Sequence, residues 1–247
     1  MTKRTKPILY DLLDAIEPDH PVTDIRTCIH LTAVQSRCCG LASSVFPLGS
    51  PHPVIERAGD LAPCAAGELA QMVLSANSME ASIGMAAINS SLPADDLRLQ
   101  DLSAEQEIMN LGRGKAIAVI GHFPFTGRLR NWGEAKKLMV FERAGRQQFG
   151  DLPEQDMKEM LAQADLVAIT GTTLCNHTLG EILELARPDA VKIMLGPSTP
   201  LSPVMFDYGF RTLFGALVID VDRTMTEICQ GANFRQLKNI RKVALTA

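Results

Sequence analysis

From Lys115 onward the chain alternates short apolar runs with segments of helical periodicity, the pattern of βα units on a mostly parallel sheet. Residues 116–120 are apolar throughout and read as a strand buried on both faces, stopped by Gly121. A helix is predicted over 126–137 and a strand over 138–141. The segment 153–164 opens on proline and acidic residues, as a first helical turn does. A third strand over 165–169 ends at Thr170 and Gly171, and a helix over 176–187 follows, with Asn176 as its N-cap and Pro188 as its stop. Two further strands are predicted over 190–195 and 213–219.

The first half follows a different pattern. Segments 24–36 and 40–46 read as paired extended chain, a hairpin, before any strong helix. Pro47, Pro51, Pro53 and Pro63 mark a loop, and 67–89 is rich in Ala, Met and Leu at helical spacing. The stretch 92–113 carries Pro93, Asp95, Asp96 and Asp101 around one short helix, and a domain boundary is placed in it near residue 113. The expected fold class is α/β, with a small α+β domain over 1–113 followed by a parallel-sheet domain over 114–247. The two are expected to share one cleft, with no sheet running through both.

Composition narrows the partners. Lys and Arg number 24 against 28 Asp and Glu, a net charge of −4 with no basic block, which argues against a nucleic-acid partner. Hydrophobic residues at 46% and charged residues at 21% fit a globular chain rather than a disordered one. The apolar runs fall far short of the about 20 residues a membrane span needs. No signal or transit peptide is visible at the start, so a cytoplasmic protein with no membrane partner is expected. Cys28, Cys38, Cys39, Cys64, Cys175 and Cys229 are then read as thiols, and with no C-x-x-C pair they lack the spacing of a structural zinc site.

In an open parallel sheet, ligands sit at the carboxyl ends of the strands, where loops and helix N-termini converge. Four such ends have unusual composition: Gly121-His122-Phe123-Pro124-Phe125-Thr126-Gly127, Phe141-Glu142-Arg143, Thr170-Gly171-Thr172-Thr173-Leu174-Cys175-Asn176 and Gly196-Pro197-Ser198-Thr199-Pro200. The first lacks the G-x-G-x-x-G fingerprint, and Pro124 removes an amide that a pyrophosphate would use. Glu142 nonetheless lies 21 positions beyond Gly121, at the strand end where an acid hydrogen-bonds a ribose in dinucleotide folds. Its competing reading is an ordinary exposed carboxylate, for which Glu142→Gln would leave fold stability little changed. The last two ends offer the hydroxyls of Thr170, Thr172, Thr173, Ser198 and Thr199, with backbone amides, as a cradle for an anion or carboxylate. Helix capping is the competing role for any one of them. His122, directly after a buried strand, can titrate near neutrality or ligate a metal. His177 is a weaker candidate in a first helical turn, where the dipole disfavours its cation. Cys38, Cys39 and Cys175 are candidate soft-metal ligands whose default role is packing.

The string 165–179 (Asp-Leu-Val-Ala-Ile-Thr-Gly-Thr-Thr-Leu-Cys-Asn-His-Thr-Leu), with 195–201 (Leu-Gly-Pro-Ser-Thr-Pro-Leu) and 215–220 (Gly-Ala-Leu-Val-Ile-Asp), resembles the DUF364 family, to which heavy-metal chelation is ascribed. Phe141-Glu142 also looks like that family, and the string 80–89 (Glu-Ala-Ser-Ile-Gly-Met-Ala-Ala-Ile-Asn) is similar to its companion N-terminal domain, so that the resemblance covers most of the chain from about residue 24. The resemblance implies an enolase N-terminal-like domain packed on a Rossmann-like domain, with the site between them. His177 stands where family members often carry Lys, a departure that removes a permanent charge.

Three functions compete. The leading one is binding, with or without a reaction, of a small anionic or metal-chelating ligand in the interdomain cleft by His122, Glu142, Asn176 and the hydroxyl loops. A nucleotide- or S-adenosylmethionine-dependent enzyme, with Glu142 on the ribose, is the second, and the missing glycine-rich loop weighs against it. Non-enzymatic metal storage or delivery is the third and requires Cys38, Cys39, Cys175, His122 and His177 to converge. The matching cofactors are a divalent metal or an adenosine nucleotide. The expected partner is a small molecule or a metal ion, with homo-oligomer formation left open.

Overall fold

Two separate sheets organise the chain, and the computed structural model describes residues 5–46, 54–93, 98–143 and 145–247 of it. Pro47, Pro51, Pro53, Asp95 and Asp96 lie outside the described residues. Helix α1 (Thr5–Asp14) leads into three short strands, β1 (Asp24–Thr27), β2 (Leu31–Gln35) and β3 (Cys39–Ser43), paired antiparallel in that order. The expected first arm thus folds back on itself, with Asp24 opposite Gln35, and makes two hairpins rather than one. The segment expected as one helix over 67–89 is divided into α2 (Ala66–Ala70), a 3-10 turn (Gln71–Leu74) and α3 (Ser78–Ser91). Asn77 caps α3 by accepting the Met79 N–H. The turn then passes so close to α3 that a Cβ on Gly84 would lie 2.0 Å from the Val73 nitrogen. Helix α4 (Ala104–Gly112) follows, capped by Ser103.

The large sheet begins at β4 (Ala116–Ile120), all five residues of which are buried, followed by α5 (Thr126–Trp132), β5 (Lys137–Glu142), β6 (Leu152–Pro153) and α6 (Met157–Met160). It continues through β7 (Leu166–Thr170), α7 (Thr172–Cys175), α8 (Leu179–Leu185), β8 (Val191–Leu195), α9 (Val204–Asp207), β9 (Phe210–Val218), α10 (Val221–Cys229) and β10 (Ile240–Thr246). The order is β10-β9-β8-β7-β4-β5-β6, parallel throughout except for β10 against β9. Succession runs outward from β4 in one direction through β5 and β6, and in the other through β7, β8 and β9. The sheet is therefore doubly wound, with its switch point between β4 and β7. The α/β fold class with a parallel-dominated sheet holds.

Helix ends differ from the expected ones for local reasons. Helix α5 stops at Gly133, whose φ of +73° is left-handed, five residues short of the expected end. Pro153 pairs in β6, at the sheet edge where proline is tolerated, so the helix expected from it begins only at Met157. His177 adopts φ +60° and separates α7 from α8. Asn176 consequently ends α7 instead of capping a long helix, while its Oδ1 accepts the Thr178 N–H. Helices α1, α9 and α10 and strands β6 and β10 were not among the predicted elements.

The chain passes from α4 into β4 across residues 113–115. No strand pairs the two sheets among the described residues, although Gln100 bridges to Ala244 of β10. Helix α1 packs on α8 and α9, and one apolar core runs from α3 through β4 and β7 to α8. Among the described residues no helix is long and apolar enough to cross a membrane.

Candidate functional site

The carboxyl ends of β4, β5 and β7 open into a cavity of about 190 Å³ at the switch point, and among the described residues of the first half Val45, just beyond β3, reaches its wall. Its frame is set by Glu142 at the end of β5. That carboxylate accepts the backbone N–H of His122 at 2.9 Å and of Arg143 at 2.7 Å, so it ties the loop after β4 to the end of the neighbouring strand. The imidazole of His122 is fixed in turn by Asp151, to which its Nδ1 donates at 2.9 Å.

Asp151 has a fully inaccessible side chain and also accepts from the Arg130 guanidinium and the Gln148 N–H. Burial works against its charge, but the Gln148 N–H, Arg130 and His122 outweigh burial and hold the carboxyl below the usual carboxylate range. With Nδ1 turned to Asp151, Nε2 makes no hydrogen bond among the described residues. His122 lines the cavity and can act there as a base or as a single metal ligand.

Arg143 and Arg146 also line the cavity. The Nε of Arg143 is buried without a hydrogen-bond partner among the described residues. Its nearest acid, Glu154, stands at 3.9 Å, an ion-pair distance too long for a hydrogen bond. From β7 and α7 come Thr170 and Thr172, whose hydroxyls meet at 3.1 Å, and Thr173, which is buried and donates to the Thr170 carbonyl at 2.8 Å. Asn176 accepts from the Thr178 hydroxyl at 2.7 Å, which leaves its amide nitrogen as a donor in the wall.

Gly171 does not line the cavity. Its N–H bonds the Leu195 carbonyl at 2.9 Å, and a Cβ there would come within 2.8 Å of the Ser198 and Thr199 backbone. The loops after β7 and β8 are therefore neighbours, as expected, but the second turns away. Ser198 is fully buried and accepts the Ser43 N–H at 2.8 Å, which joins β3 to the large sheet. Pro197 and Thr199 border a smaller cavity of about 70 Å³ together with Cys38, Cys39 and Asn89. Gly196, with φ +114°, supplies the turn that sends the loop there.

The proposed metal ligands do not converge. Among the described residues no three His, Cys, Asp or Glu side chains lie together so as to hold a metal ion. Burial pushes the Cys39 and Cys175 thiols up to about 12, so both stay protonated at neutral pH. His177 is buried, donates Nε2–H to the Val73 carbonyl at 2.8 Å, and has its pKa lowered by desolvation. Cys38 donates to the Ser90 carbonyl at 3.3 Å and borders the smaller cavity rather than the one His122 lines. The set Cys38, Cys39, Cys175, His122 and His177 is therefore not brought together, and among the described residues the main cavity offers no group of three such side chains for a bare ion.

Sequence reasoning missed Asp151, Arg130, Arg146, Glu154 and Thr178, and passed over Arg143 although it adjoins Glu142. The signal for Arg143 was its place at the same strand end. Asp151 had none at short range, because its partner His122 lies 29 residues away.

The family model DUF364, described as "Putative heavy-metal chelation", matches residues 104–247, and a second model with the same description, DUF4213, matches residues 10–92. Uncharacterized protein MJ0500 of Methanocaldococcus jannaschii is 30% identical over 162 residues, which span 64% of this chain and 62% of that protein. A crystal structure of a DUF364-family protein of unknown function from Desulfitobacterium hafniense covers all of both chains at 25% identity, with a TM-score of 0.84. Another from Pyrococcus horikoshii has a TM-score of 0.80 at 20% identity, over 98% of this chain and 99% of that one. On the family model that spans more than half of its length, the chain belongs to the DUF364 family.

Proposed function

We propose that the chain binds a small anionic ligand in the cavity at the switch point, with the acidic group on Arg143 and Arg146 and the remaining polar groups on His122, Asn176 and the threonines. The observation that carries this is the buried Arg143 Nε without an acceptor. An unsatisfied buried donor costs about 1–3 kcal/mol, more when charged, and a carboxylate or phosphate oxygen removes that cost. The chelation described for the family fits here when the ligand is itself the chelator and His122 Nε2 adds one protein donor. Ligand bound at this place would touch Val45 of the first half and strand ends of the second, in keeping with a cleft between them.

The test is a thermal-shift panel with citrate, inorganic phosphate and adenosine diphosphate. A ligand at about 100 times its Kd adds about 2.7 kcal/mol of stability, or roughly 5–10 °C for a chain of this size. Arg143→Gln is expected to abolish the shift. No shift with any of the three, or an equal shift in the variant, overturns the reading. A second reading, nucleotide binding, is favoured by the doubly wound strand order and by Glu142 at the strand end that meets a ribose. It requires adenosine diphosphate to shift the transition well beyond phosphate alone.

A further inference from the structure

The thiols of Cys28 and Cys229 face each other across two elements distant in sequence, with their sulfurs 4.0 Å apart. Cys28 follows β1 directly and is part-buried, whereas Cys229 is the last residue of α10 and exposed. One helical turn earlier stands Met225, four residues away and so on the same face of α10. Met225 and Cys229 both border an open groove of about 490 Å³, in which Arg26 also lies. Cys28 packs against the apolar cluster that contains Met225 and Ile228.

We propose that Cys28, Cys229 and Met225 form a site for one soft monovalent metal ion of the Cu(I) or Ag(I) class, which joins β1 to the end of α10. Two sulfurs each about 2.3 Å from a metal, and 4.0 Å from one another, subtend about 120° at it. That angle is trigonal and leaves a third position, for which the Met225 thioether is the nearby soft donor. Hard ions need six or more oxygens and structural zinc four ligands, neither of which the described residues supply at this place. Thiolate and thioether donors select soft ions. Binding is M⁺ plus two thiols giving a metal dithiolate and two released protons, with no change of oxidation state. The resulting single negative charge lies beside Arg26, which pairs with Asp24 and also interacts with the Cys229 sulfur. The exposed Cys229 and the open groove give the ion a way in. This site is separate from the switch-point cavity and does not depend on the reading of it.

The experiment is an anaerobic competition titration of the fully reduced chain with Ag(I), followed by native mass spectrometry. The wild type is expected to retain one ion. Cys28→Ser and Cys229→Ser are each expected to weaken retention at least tenfold, Met225→Leu by less, and Cys38→Ser not at all. A readout that needs no variant is alkylation, where one equivalent of Ag(I) should protect Cys28 and Cys229 in the wild type. Equal retention by the Cys28 and Cys229 variants overturns the site, as does loss on Cys38→Ser or failure of Ag(I) to protect the two thiols. A reduced wild type that takes up no Ag(I), and in air joins the two cysteines as a disulfide, also overturns it.

Discussion

Asp151→Ala should lower the melting temperature by roughly 6–12 °C, the largest loss expected from any single side chain of the site. The Asp151 carboxylate is inaccessible and receives Arg130, His122 and the Gln148 N–H, and its removal leaves His122 and the Gln148 N–H without their acceptor and Arg130 with the Phe149 carbonyl alone. Breaking a buried ion pair costs about 3–5 kcal/mol, and the lower end applies because Arg130 is 28% exposed. The folded-state pKa of Asp151 is lowered, so its contribution is complete above the unfolded carboxylate value of about 3.9 and is lost as pH falls through the lower folded value. Scanning calorimetry of both proteins at pH 7 and in acid measures this. The gap should be full at pH 7 and close in acid. A gap below about 1 kcal/mol at pH 7, or one that persists unchanged through acid, contradicts the role given to Asp151.

Glu142→Gln carries the second large effect and reverses an expectation drawn from the sequence. An exposed carboxylate at a strand end would tolerate the change, but here its two oxygens each accept a backbone N–H, from His122 and from Arg143. Glutamine has one carbonyl oxygen, so its amide nitrogen must face one of those N–H groups. The expected loss is about 1–3 kcal/mol of stability, together with weaker ligand binding because both His122 and Arg143 are displaced. Urea unfolding monitors the first and titration of the best anion from the thermal panel the second. Unchanged stability shows that Glu142 does not clamp the loop.

The strands were legible where both faces are buried. Residues of β4 and β7 form unbroken apolar runs because neighbouring strands and helices cover both sides of a parallel sheet. Strand β10 escaped notice because it is an edge strand with Arg241 and Lys242 exposed, so its apolar run is short. Helix α10 buries only Thr224, Met225 and Ile228, and its many polar residues hide the pattern.

For the site, topology made strand ends visible as neighbours, and His122, Glu142, Thr170, Thr172, Thr173 and Asn176 do line one cavity. Topology does not say which way a loop turns. Ser198 is drawn onto the Ser43 N–H by a contact across 155 residues, and its neighbours Pro197 and Thr199 border the smaller cavity instead. Asp151 and Arg130 likewise owe their place to tertiary packing behind His122. Burial, which sequence does not reveal for a lone cysteine, closes Cys39 and Cys175 off from solvent and pushes both thiols up to about 12.

The most direct test of anion binding at the switch point is a crystal structure of the chain soaked in citrate. A carboxylate oxygen should lie about 3 Å from Arg143 Nε, within the cavity bordered by His122 and Thr170. An empty cavity with citrate bound elsewhere, or Arg143 Nε turned onto Glu154 with no ligand contact, would contradict it.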